Sequence, residues 1–243
     1  AGRLATLLAL AGLILALGPG VAGAGPELLD LRDAVVVTSA QVSGPEGAAL
    51  DLLLDEVEKR SIIRWDVVHE WPADATPVIA IGTAATAAEW AGAQAPTLGL
   101  TGTDLPAEGY RIRVVTEGRK APAILIAGND SRGVLFGIGR LLQEMRIFRE
   151  ENRQVPGHVR LPADFEITTA PKYPLRGHQF GYRPTVTAYD GWTEPMWEQY
   201  IRDLAVFGTN AYEMRPPRTD AAPDSPHCPL PQIEMMAIIS GIL

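Results

Sequence analysis

The sequence predicts an α/β fold in two parts, and two observations lead to this prediction. Between residues 33 and 146, short apolar runs rich in β-branched residues alternate with amphipathic stretches. Apolar runs of this length are typical of buried strands, and amphipathic stretches are typical of helices. After residue 171 the composition changes, because ten of the 16 aromatic residues lie between Phe165 and Tyr212.

The first part is expected to follow the order β-α-β-β-α-β-β-α. The five strand patterns are short, either continuously apolar or alternating, and cover residues 34–38, 65–71, 77–82, 108–115 and 123–128. The three helix patterns, which have apolar positions three and four residues apart, cover residues 47–60, 84–91 and 132–145. Together they predict one domain over residues 25–148.

The last of these helices carries two local signals. Asn129, Asp130 and Ser131 precede it and are favoured residues for a helix N-cap. Three glycines inside it, Gly133, Gly137 and Gly139, would each lower the helix propensity by about 1 kcal/mol. We therefore expect them to be needed for close packing of the helix on a sheet.

The second part is predicted to begin with a β-α-β unit. Residues 149–171 form a polar connection that enters a short strand at 165–168. The pattern then predicts a strand over 174–180, a helix over 194–207 and a strand over 210–215. A strand, a crossover helix and a strand form a parallel pair. Residues 172–243 are thus assigned to a second domain.

Residues 1–24 have the pattern of a signal peptide. Arg3 is followed by an apolar run from Leu4 to Leu17, and Ala22-Gly23-Ala24 fits a cleavage site. The alternative is a buried or membrane-anchoring helix. We expect a secreted or periplasmic bacterial protein with no stable membrane span after cleavage. Because residue 1 is not Met and residue 243 falls inside an apolar run, we also expect a fragment of a longer protein.

Composition and motifs exclude several functions. The net charge of −8, from 21 Lys+Arg and 29 Asp+Glu, argues against a nucleic-acid partner. The single Cys228 excludes an intrachain disulfide and a zinc site built on several thiolates, and His227-Cys228 is too isolated to suggest a metal site. Glycine-rich nucleotide motifs, H-E-x-x-H and G-x-S-x-G are missing from the sequence, so no cofactor and no metal is predicted.

Polar residues near the strands of the second part are candidates for ligand binding. Arg176 and His178 are placed at the end of its first strand, and Glu213 at the same place on the next. Arg176 could form forked hydrogen bonds with the hydroxyls or a carboxylate of a ligand, or it could pair structurally with a nearby acid. His178 could equally be structural. Glu213 could accept hydrogen bonds from sugar hydroxyls, or it could pair with Arg176 or Arg215.

Two aromatic residues and the count of carboxylates complete these candidates. Tyr182 and Trp192 flank a predicted loop and could stack on a sugar, whereas Trp197 lies on the predicted helix and is expected in the core. Glycosidases use a pair of carboxylates about 5–9.5 Å apart. Only Glu213 stands out here, so no catalytic residue is assigned.

Several motifs resemble a known accessory domain. They are residues 108–112 (EGYRI), 124–133 (ILIAGNDSRG) and 136–143 (FGIGRLLQ). This domain precedes the catalytic barrel in family 67 α-glucuronidases and family 20 β-hexosaminidases. The resemblance covers about residues 33–146 and implies a mixed sheet with helices on one face and no catalysis of its own.

The segment from Pro174 to Glu213 resembles the opening of the (β/α)8 TIM barrel in the same enzymes. The resemblance is carried by Pro174-Leu175-Arg176-Gly177, Trp192, Gly208-Thr209-Asn210 and Tyr212-Glu213. In the family 20 pattern, the arginine of this R-G pair holds sugar hydroxyls, which implies that role for Arg176. The sequence departs from the pattern after Gly177, where residues 178–182 replace the usual aspartate and arginine.

The resemblance implies the N-terminal fragment of a secreted glycoside hydrolase. An α-glucuronidase acting in xylan breakdown is the favoured reading, and the expected partner is a carbohydrate. The alternatives are a β-hexosaminidase-like enzyme and a non-catalytic carbohydrate-binding or scaffold protein. The chain includes about two of the eight βα units, so the catalytic carboxylates of both families would lie beyond it and the fragment is expected to be inactive.

Overall fold

The computed structural model describes residues 27–99, 105–152, 154–180, 188–214 and 230–242. The signal predicted at residues 1–24, as well as Tyr182, Arg215 and Cys228, lie outside the described residues. The strands are β1 (Leu28–Asp30), β2 (Val35–Val37), β3 (Asp66–Val68), β4 (Val78–Thr83), β5 (Tyr110–Val115), β6 (Ala123–Gly128), β7 (Arg146–Phe148), β8 (His158–Pro162), β9 (Glu166–Thr169), β10 (Gly177–Phe180) and β11 (Ala211–Met214). The helices are α1 (Gly44–Ser61), α2 (Ala87–Trp90), α3 (Ser131–Glu144), α4 (Glu194–Val206) and α5 (Gln232–Ile242). None of the helices in these ranges could cross a membrane.

The first part of the molecule, which we call the accessory domain after the resemblance described above, is built on a six-stranded mixed sheet with the order β3-β2-β4-β6-β5-β9. Strands β3, β2, β4 and β6 run parallel, whereas β5 is antiparallel to both β6 and β9. The mixed sheet that the resemblance implied is therefore confirmed. Its two central strands, β4 and β6, are almost fully buried, as expected for parallel strands covered on both sides.

The expectation that helices lie on one face of this sheet is only half correct. The long helices α1 and α3 cover one face, where Ile79 and Ile126 are buried. Trp90 at the end of α2 and Leu98 in a following 3-10 segment cover the opposite face. This second layer is needed because β4 and β6 point apolar side chains to both sides. The helix predicted at 84–91 is shorter than expected, because its first residues, Ala84–Thr86, form a 3-10 turn and only Ala87–Trp90 form α2.

The predicted cap of α3 is confirmed in detail. The Asp130 carboxylate accepts a hydrogen bond from the Gly133 backbone nitrogen at 2.8 Å, which satisfies one of the free donors of the first turn. Helix α1 begins with a reciprocal arrangement of the same kind, in which Ser43 and Glu46 each accept a hydrogen bond from the other's backbone nitrogen.

The glycines of α3 serve two different contacts. A Cβ atom at Gly137 would lie 2.7 Å from the Ile126 side chain, so this glycine allows the helix to pack closely on the sheet as predicted. A Cβ atom at Gly139 would instead lie 2.6 Å from the carbonyl oxygen of Val206. Gly139 therefore packs against the end of α4, and the expectation of a sheet contact is wrong for this residue.

Strands also occupy much of the predicted connection 149–171. Strand β8 lies in a three-stranded antiparallel sheet between β1 and β7, and β9 forms the edge of the main sheet. Leu28 at the start of the described chain pairs with Pro162. The hydrogen-bonded sheets of the accessory domain thus extend as far as Thr169.

The remaining strands form a separate two-stranded parallel sheet. Residues of β10 pair in register with those of β11, from Gly177 with Ala211 to Phe180 with Met214. Helix α4 connects the two strands, which confirms the predicted β-α-β unit, and α5 packs against α4. Continuation of this unit into a barrel stays a prediction.

Candidate functional site

The two-stranded sheet separates the candidate residues onto two faces. Successive side chains of a strand point to opposite sides. His178 and Phe180 point toward α4, because a hydrogen bond of 3.1 Å joins His178 Nε2 to the Tyr200 hydroxyl and Phe180 packs on Trp197. Gln179 therefore points to the opposite side, and so does its cross-strand partner Glu213.

Gln179 and Glu213 form a polar pair on the side of the sheet away from α4. The Gln179 Nε2 atom donates a hydrogen bond to Glu213 Oε2 at 2.7 Å. Both residues lie at the third position of a four-residue strand, in its carboxyl half. Sequence reasoning selected Glu213 but missed Gln179. The alternation of the strand could have revealed it, because a residue next to His178 must point away from it.

The side facing α4 holds an aromatic cluster, which consists of Phe180, Tyr189, Trp192, Trp197, Tyr200 and Tyr212. The rings of Tyr189 and Trp192 meet edge to face at 4.7 Å, and those of Phe180 and Tyr212 are stacked at 5.7 Å. Trp197 is buried, which confirms its place in the core. Its indole nitrogen has no hydrogen-bond partner within the described ranges.

Trp192 and His178, two predicted ligand residues, both belong to this aromatic environment. Trp192 packs against Tyr189, Trp197 and Tyr200, which leaves its ring half-buried. Burial, and then the neighbouring Tyr189 hydroxyl, raise the pKa of Tyr200 to about 12. Tyr200 is therefore neutral at ordinary pH and available to His178 as a hydrogen-bonding partner. Sugar contacts by Trp192 and His178 stay predictions.

Arg176 was expected at the end of the first strand, but this prediction is wrong. The residue precedes the strand, because β10 begins at Gly177. Its guanidinium donates hydrogen bonds to three protein acceptors. Nε donates to the Gly208 carbonyl at 2.6 Å, Nη1 to the Tyr173 carbonyl at 2.8 Å, and Nη2 to Glu108 Oε2 at 2.7 Å. The structure thus contains the pairing with a nearby acid that was one of the two alternatives for this residue. A sugar contact by Arg176 stays a prediction.

The acid that pairs with Arg176 lies in the accessory domain. Glu108 also accepts hydrogen bonds from Arg132 Nη1 at 3.1 Å and from Asn210 Nδ2 at 3.1 and 3.2 Å. We call these four residues the Glu108 joint. The Glu108 side chain is 12% exposed. Burial alone would raise its pKa, but the hydrogen bonds from Arg176, Asn210 and Arg132 outweigh that effect and lower the pKa below its ordinary value.

A second polar contact joins the two parts of the molecule between α1 and α4. Gln199 Nε2 donates to the buried Glu56 carboxylate at 3.0 Å, and Arg202 Nη1 donates to Asp55 at 2.8 Å. An open groove of about 860 Å³ lies between this contact and the Glu108 joint and is lined mainly by α1, α3 and α4. Across the described residues, no group of three or more His, Cys, Asp or Glu side chains is placed to bind a metal ion.

Comparison with known proteins identifies similar folds but no family. No family model matches the sequence, and no curated protein matches it. Among solved structures, CpGH84B is 18% identical with a TM-score of 0.51, and the similarity covers 90% of this chain and 33% of that one. A mutant Streptomyces plicatus beta-hexosaminidase in complex with the product GlcNAc is 14% identical with a TM-score of 0.50, covering 79% and 32%. A GH20 exo beta-N-acetylglucosaminidase from Vibrio harveyi is 16% identical with a TM-score of 0.49, covering 78% and 23%.

These similarities establish the fold alone. The chain spans between about a quarter and a third of the length of those proteins, from 23% to 33%. The mixed α/β architecture of the described residues is therefore one that also occurs in glycoside hydrolases. None of the three is named as an α-glucuronidase, so the favoured α-glucuronidase interpretation gains no support from them.

Proposed function

We propose that the chain is part of a longer glycoside hydrolase of the β-hexosaminidase-like kind. The observation that supports this most is that the similarity to CpGH84B extends over 90% of the chain, and so includes both the accessory domain and the β-α-β unit. The similarity to a Streptomyces plicatus beta-hexosaminidase covers 79% of the chain. A shared accessory domain alone would give a shorter match.

The proposed substrate side is the face of the two-stranded sheet that carries Gln179 and Glu213. Ligands of barrel and open α/β folds bind at the carboxyl ends of parallel strands, and both residues lie in that half of their strands. The opposite face is covered by α4 and the aromatic cluster. A carboxylate accepts hydrogen bonds from sugar hydroxyls, and an amide can donate as well as accept, so the pair suits a pyranose.

The chemistry of such an enzyme requires groups outside the described residues. Glycoside hydrolysis uses two carboxylates, or one acid together with a nucleophile supplied by the substrate. In this proposal Gln179 and Glu213 bind and orient the sugar, and they do not transfer protons to the glycosidic oxygen. The acid would come from a later part of the full-length protein.

The experiment that tests this proposal is an assay of the full-length gene product on aryl glycosides. We expect turnover of aryl β-N-acetylhexosaminides and none of aryl α-glucuronides. Turnover of the α-glucuronide alone would overturn the hexosaminidase reading in favour of an α-glucuronidase. Glycan binding without any turnover would overturn the enzyme proposal in favour of a non-catalytic binding or scaffold protein.

The substrate face is tested by a matched pair of variants in the same enzyme. Glu213→Gln removes the carboxylate of the pair, and Glu198→Gln removes an exposed carboxylate of α4 that pairs with Arg202. We expect a loss of about tenfold to a hundredfold in kcat/KM for Glu213→Gln, the cost of one or two hydrogen bonds to a charged group. An equal effect of Glu198→Gln would contradict the assignment of the face.

Secretion is a further part of the proposal, supported by the signal pattern of residues 1–24. We expect the mature protein in the periplasm or the culture medium, with an N-terminus at Gly25. N-terminal sequencing of the protein isolated from each cell fraction measures this. Recovery from the cytoplasm with residues 1–24 still attached would contradict it.

A further inference from the structure

We propose that Glu108 of the accessory domain is a positioning residue that fixes where β10 and β11 begin. The stability part of this inference goes beyond the proposed function, and its consequence for catalysis rests on that function. The inference assigns to the accessory domain a role in shaping the substrate face, which lies on a sheet to which the domain contributes no strand.

The first step is that one carboxylate binds both strand origins. Arg176 is the residue directly before β10, and Asn210 is the residue directly before β11. Glu108 Oε2 accepts hydrogen bonds from Arg176 Nη2 at 2.7 Å and from Asn210 Nδ2 at 3.2 Å. A relative displacement of the starts of the two strands would therefore disturb hydrogen bonds to the same charged oxygen.

The second step is that these contacts are continuous with the strand pairing. The Arg176 backbone nitrogen donates to Asn210 Oδ1 at 2.9 Å, and the Asn210 backbone nitrogen donates to the Arg176 carbonyl at 3.1 Å. Asn210 Nδ2 also donates to the Pro174 carbonyl at 2.8 Å. The register of β10 against β11 is thus established at the joint, three residues before Gln179 and Glu213 come to face each other in the strands.

The third step concerns the backbone of Glu108, which adopts a left-handed conformation with a φ of 59°. Glycine reaches this conformation without the steric cost that a larger residue incurs. The cost at Glu108 is offset by the contacts of its carboxylate and by its backbone nitrogen, which donates to Asp130 Oδ2 at 2.9 Å. Because Asp130 also caps α3, the joint is anchored to the N-terminus of this helix of the accessory domain.

The arrangement also explains the placement of Arg176. Its Nε, Nη1 and Nη2 atoms all donate to protein acceptors, and its guanidinium carbon lies 4.9 Å from the centre of the Phe136 ring. An arginine engaged in this way connects the two parts of the molecule. In this proposal the sugar contacts come from the Gln179–Glu213 face. Arg176 links Glu108 to β10, the strand that carries Gln179, and so allows Glu108 to position that strand.

The test is amide hydrogen exchange measured on the full-length gene product. Glu108→Gln keeps the shape of the side chain and removes its charge, and Glu58→Gln is the matched control, since Glu58 forms an exposed pair with Arg64 within the accessory domain. We expect the amides of β10 and β11 to exchange about tenfold to a hundredfold faster in Glu108→Gln, as for the loss of hydrogen bonds to a charged group. The amides of β4 and β6 and the control variant should be nearly unchanged.

A uniform increase in exchange over all strands, or no increase in β10 and β11, would overturn the proposal, because either result assigns Glu108 no local role. Arg176→Lys serves as a second variant should Glu108→Gln fail to fold. Lysine retains the charge but not the forked donors. We expect faster exchange in β10 for this variant as well, with unchanged exchange in β6. Faster exchange in β6 with unchanged exchange in β10 would overturn the proposal.

Kinetics of the same variants separate positioning from general stability. Per folded enzyme molecule, Glu108→Gln should raise KM for the hexosaminide more than it lowers kcat, because it displaces the residues that bind the sugar. An unchanged KM would limit Glu108 to a structural role and overturn the catalytic part. If the wild-type enzyme turns over no glycoside, the proposed function fails, whereas the exchange experiment still decides the role of Glu108.

Discussion

The two parts of the molecule are stabilised in different ways. In the accessory domain, aliphatic side chains such as Ile79, Leu125 and Ile126 are fully buried on both faces of the sheet. The β-α-β unit buries fewer side chains in the described ranges, and its core is aromatic around Phe180 and Trp197. Polar groups connect it to the accessory domain. The comparison indicates that the first part can supply its own core, whereas the second depends more on polar contacts with the first, such as those of the Glu108 joint.

The largest expected difference between the two parts comes from core truncation. Leu125→Ala removes a fully buried side chain from the centre of the main sheet and should lower the free energy of unfolding by about 3 kcal/mol. Ile201→Ala, at a residue that is 6% exposed and shares a core with Phe180 and Trp197, should cost about 2 kcal/mol, near the lower end for such changes. Urea unfolding followed by circular dichroism measures both. A larger cost for Ile201→Ala would contradict the comparison.

The joint predicts a pH dependence of stability. The pKa of Glu108 is lowered in the folded protein, so its stabilising contribution is present above the ordinary glutamate pKa and is lost as the pH falls through the folded value. The charged groups around it are Arg132, Arg176 and Asp130, of which Asp130 accepts the hydrogen bond of the Glu108 backbone.

We therefore expect Glu108→Gln to lower the free energy of unfolding by about 2 kcal/mol at pH 7 and by progressively less below about pH 4.3. Urea unfolding of the wild type and the variant at a series of pH values measures the difference, in which the other carboxylates cancel. A difference that stays constant between pH 7 and pH 3 would show that the charge of Glu108 contributes nothing.

A smaller effect is expected for alanine substitutions at two helix glycines. The informative result is whether each substitution stabilises or destabilises the protein. Gly139→Ala places a Cβ atom 2.6 Å from the Val206 carbonyl oxygen. Overpacking of about 2 kcal/mol, reduced by about 1 kcal/mol of gained helix propensity, gives a net loss of about 1 kcal/mol. Gly47→Ala in α1, whose nearest neighbour is a Val42 methyl at 4.0 Å, should instead stabilise the protein by about 0.5–1 kcal/mol. Thermal unfolding of both variants compares them.

The smallest expected effect concerns an exposed ion pair, which consists of a glutamate and an arginine as in the joint. Glu58 and Arg64 lie 3.0 Å apart with 43% and 77% of their side chains exposed. Solvent screens such a pair, so Glu58→Gln should change the free energy of unfolding by less than about 0.5 kcal/mol. Urea unfolding at low and high salt provides the measurement. A loss comparable to that of Glu108→Gln would remove the distinction between exposed and buried pairs.

Local sequence patterns predicted the elements of this fold well where each pattern lies within one segment. The strands β4, β5 and β6 and the cap of α3 follow from hydrophobicity and from the side chain of Asp130. Strands β1 and β8 were not predicted, because each is short and Leu28 finds its partner at Pro162, far along the chain. No local pattern encodes such a pairing.

The candidate site shows the same limit. The choice of Glu213 followed from its residue type and position, and alternation along β10 would have been sufficient to add Gln179, which was missed. The contact between Glu108 and Arg176 could not be predicted, because it joins residues 68 positions apart across two parts of the molecule. Arg176 was placed at the wrong end of its strand for a related reason: the start of β10 depends on contacts with residues distant in the sequence, Asn210 and Glu108 among them.

The close approach of Gly139 to Val206 bears on how such proteins could be recombined. Because α3 contacts its own sheet through Gly137 and the following helix through Gly139, its surface is shaped by both neighbours. An accessory domain transplanted from another protein of this fold would need a residue without a side chain at this one position, or else a differently placed α4. Exchange between such proteins would therefore succeed more readily when the junction is made after β11 than when it is made between the accessory domain and β10.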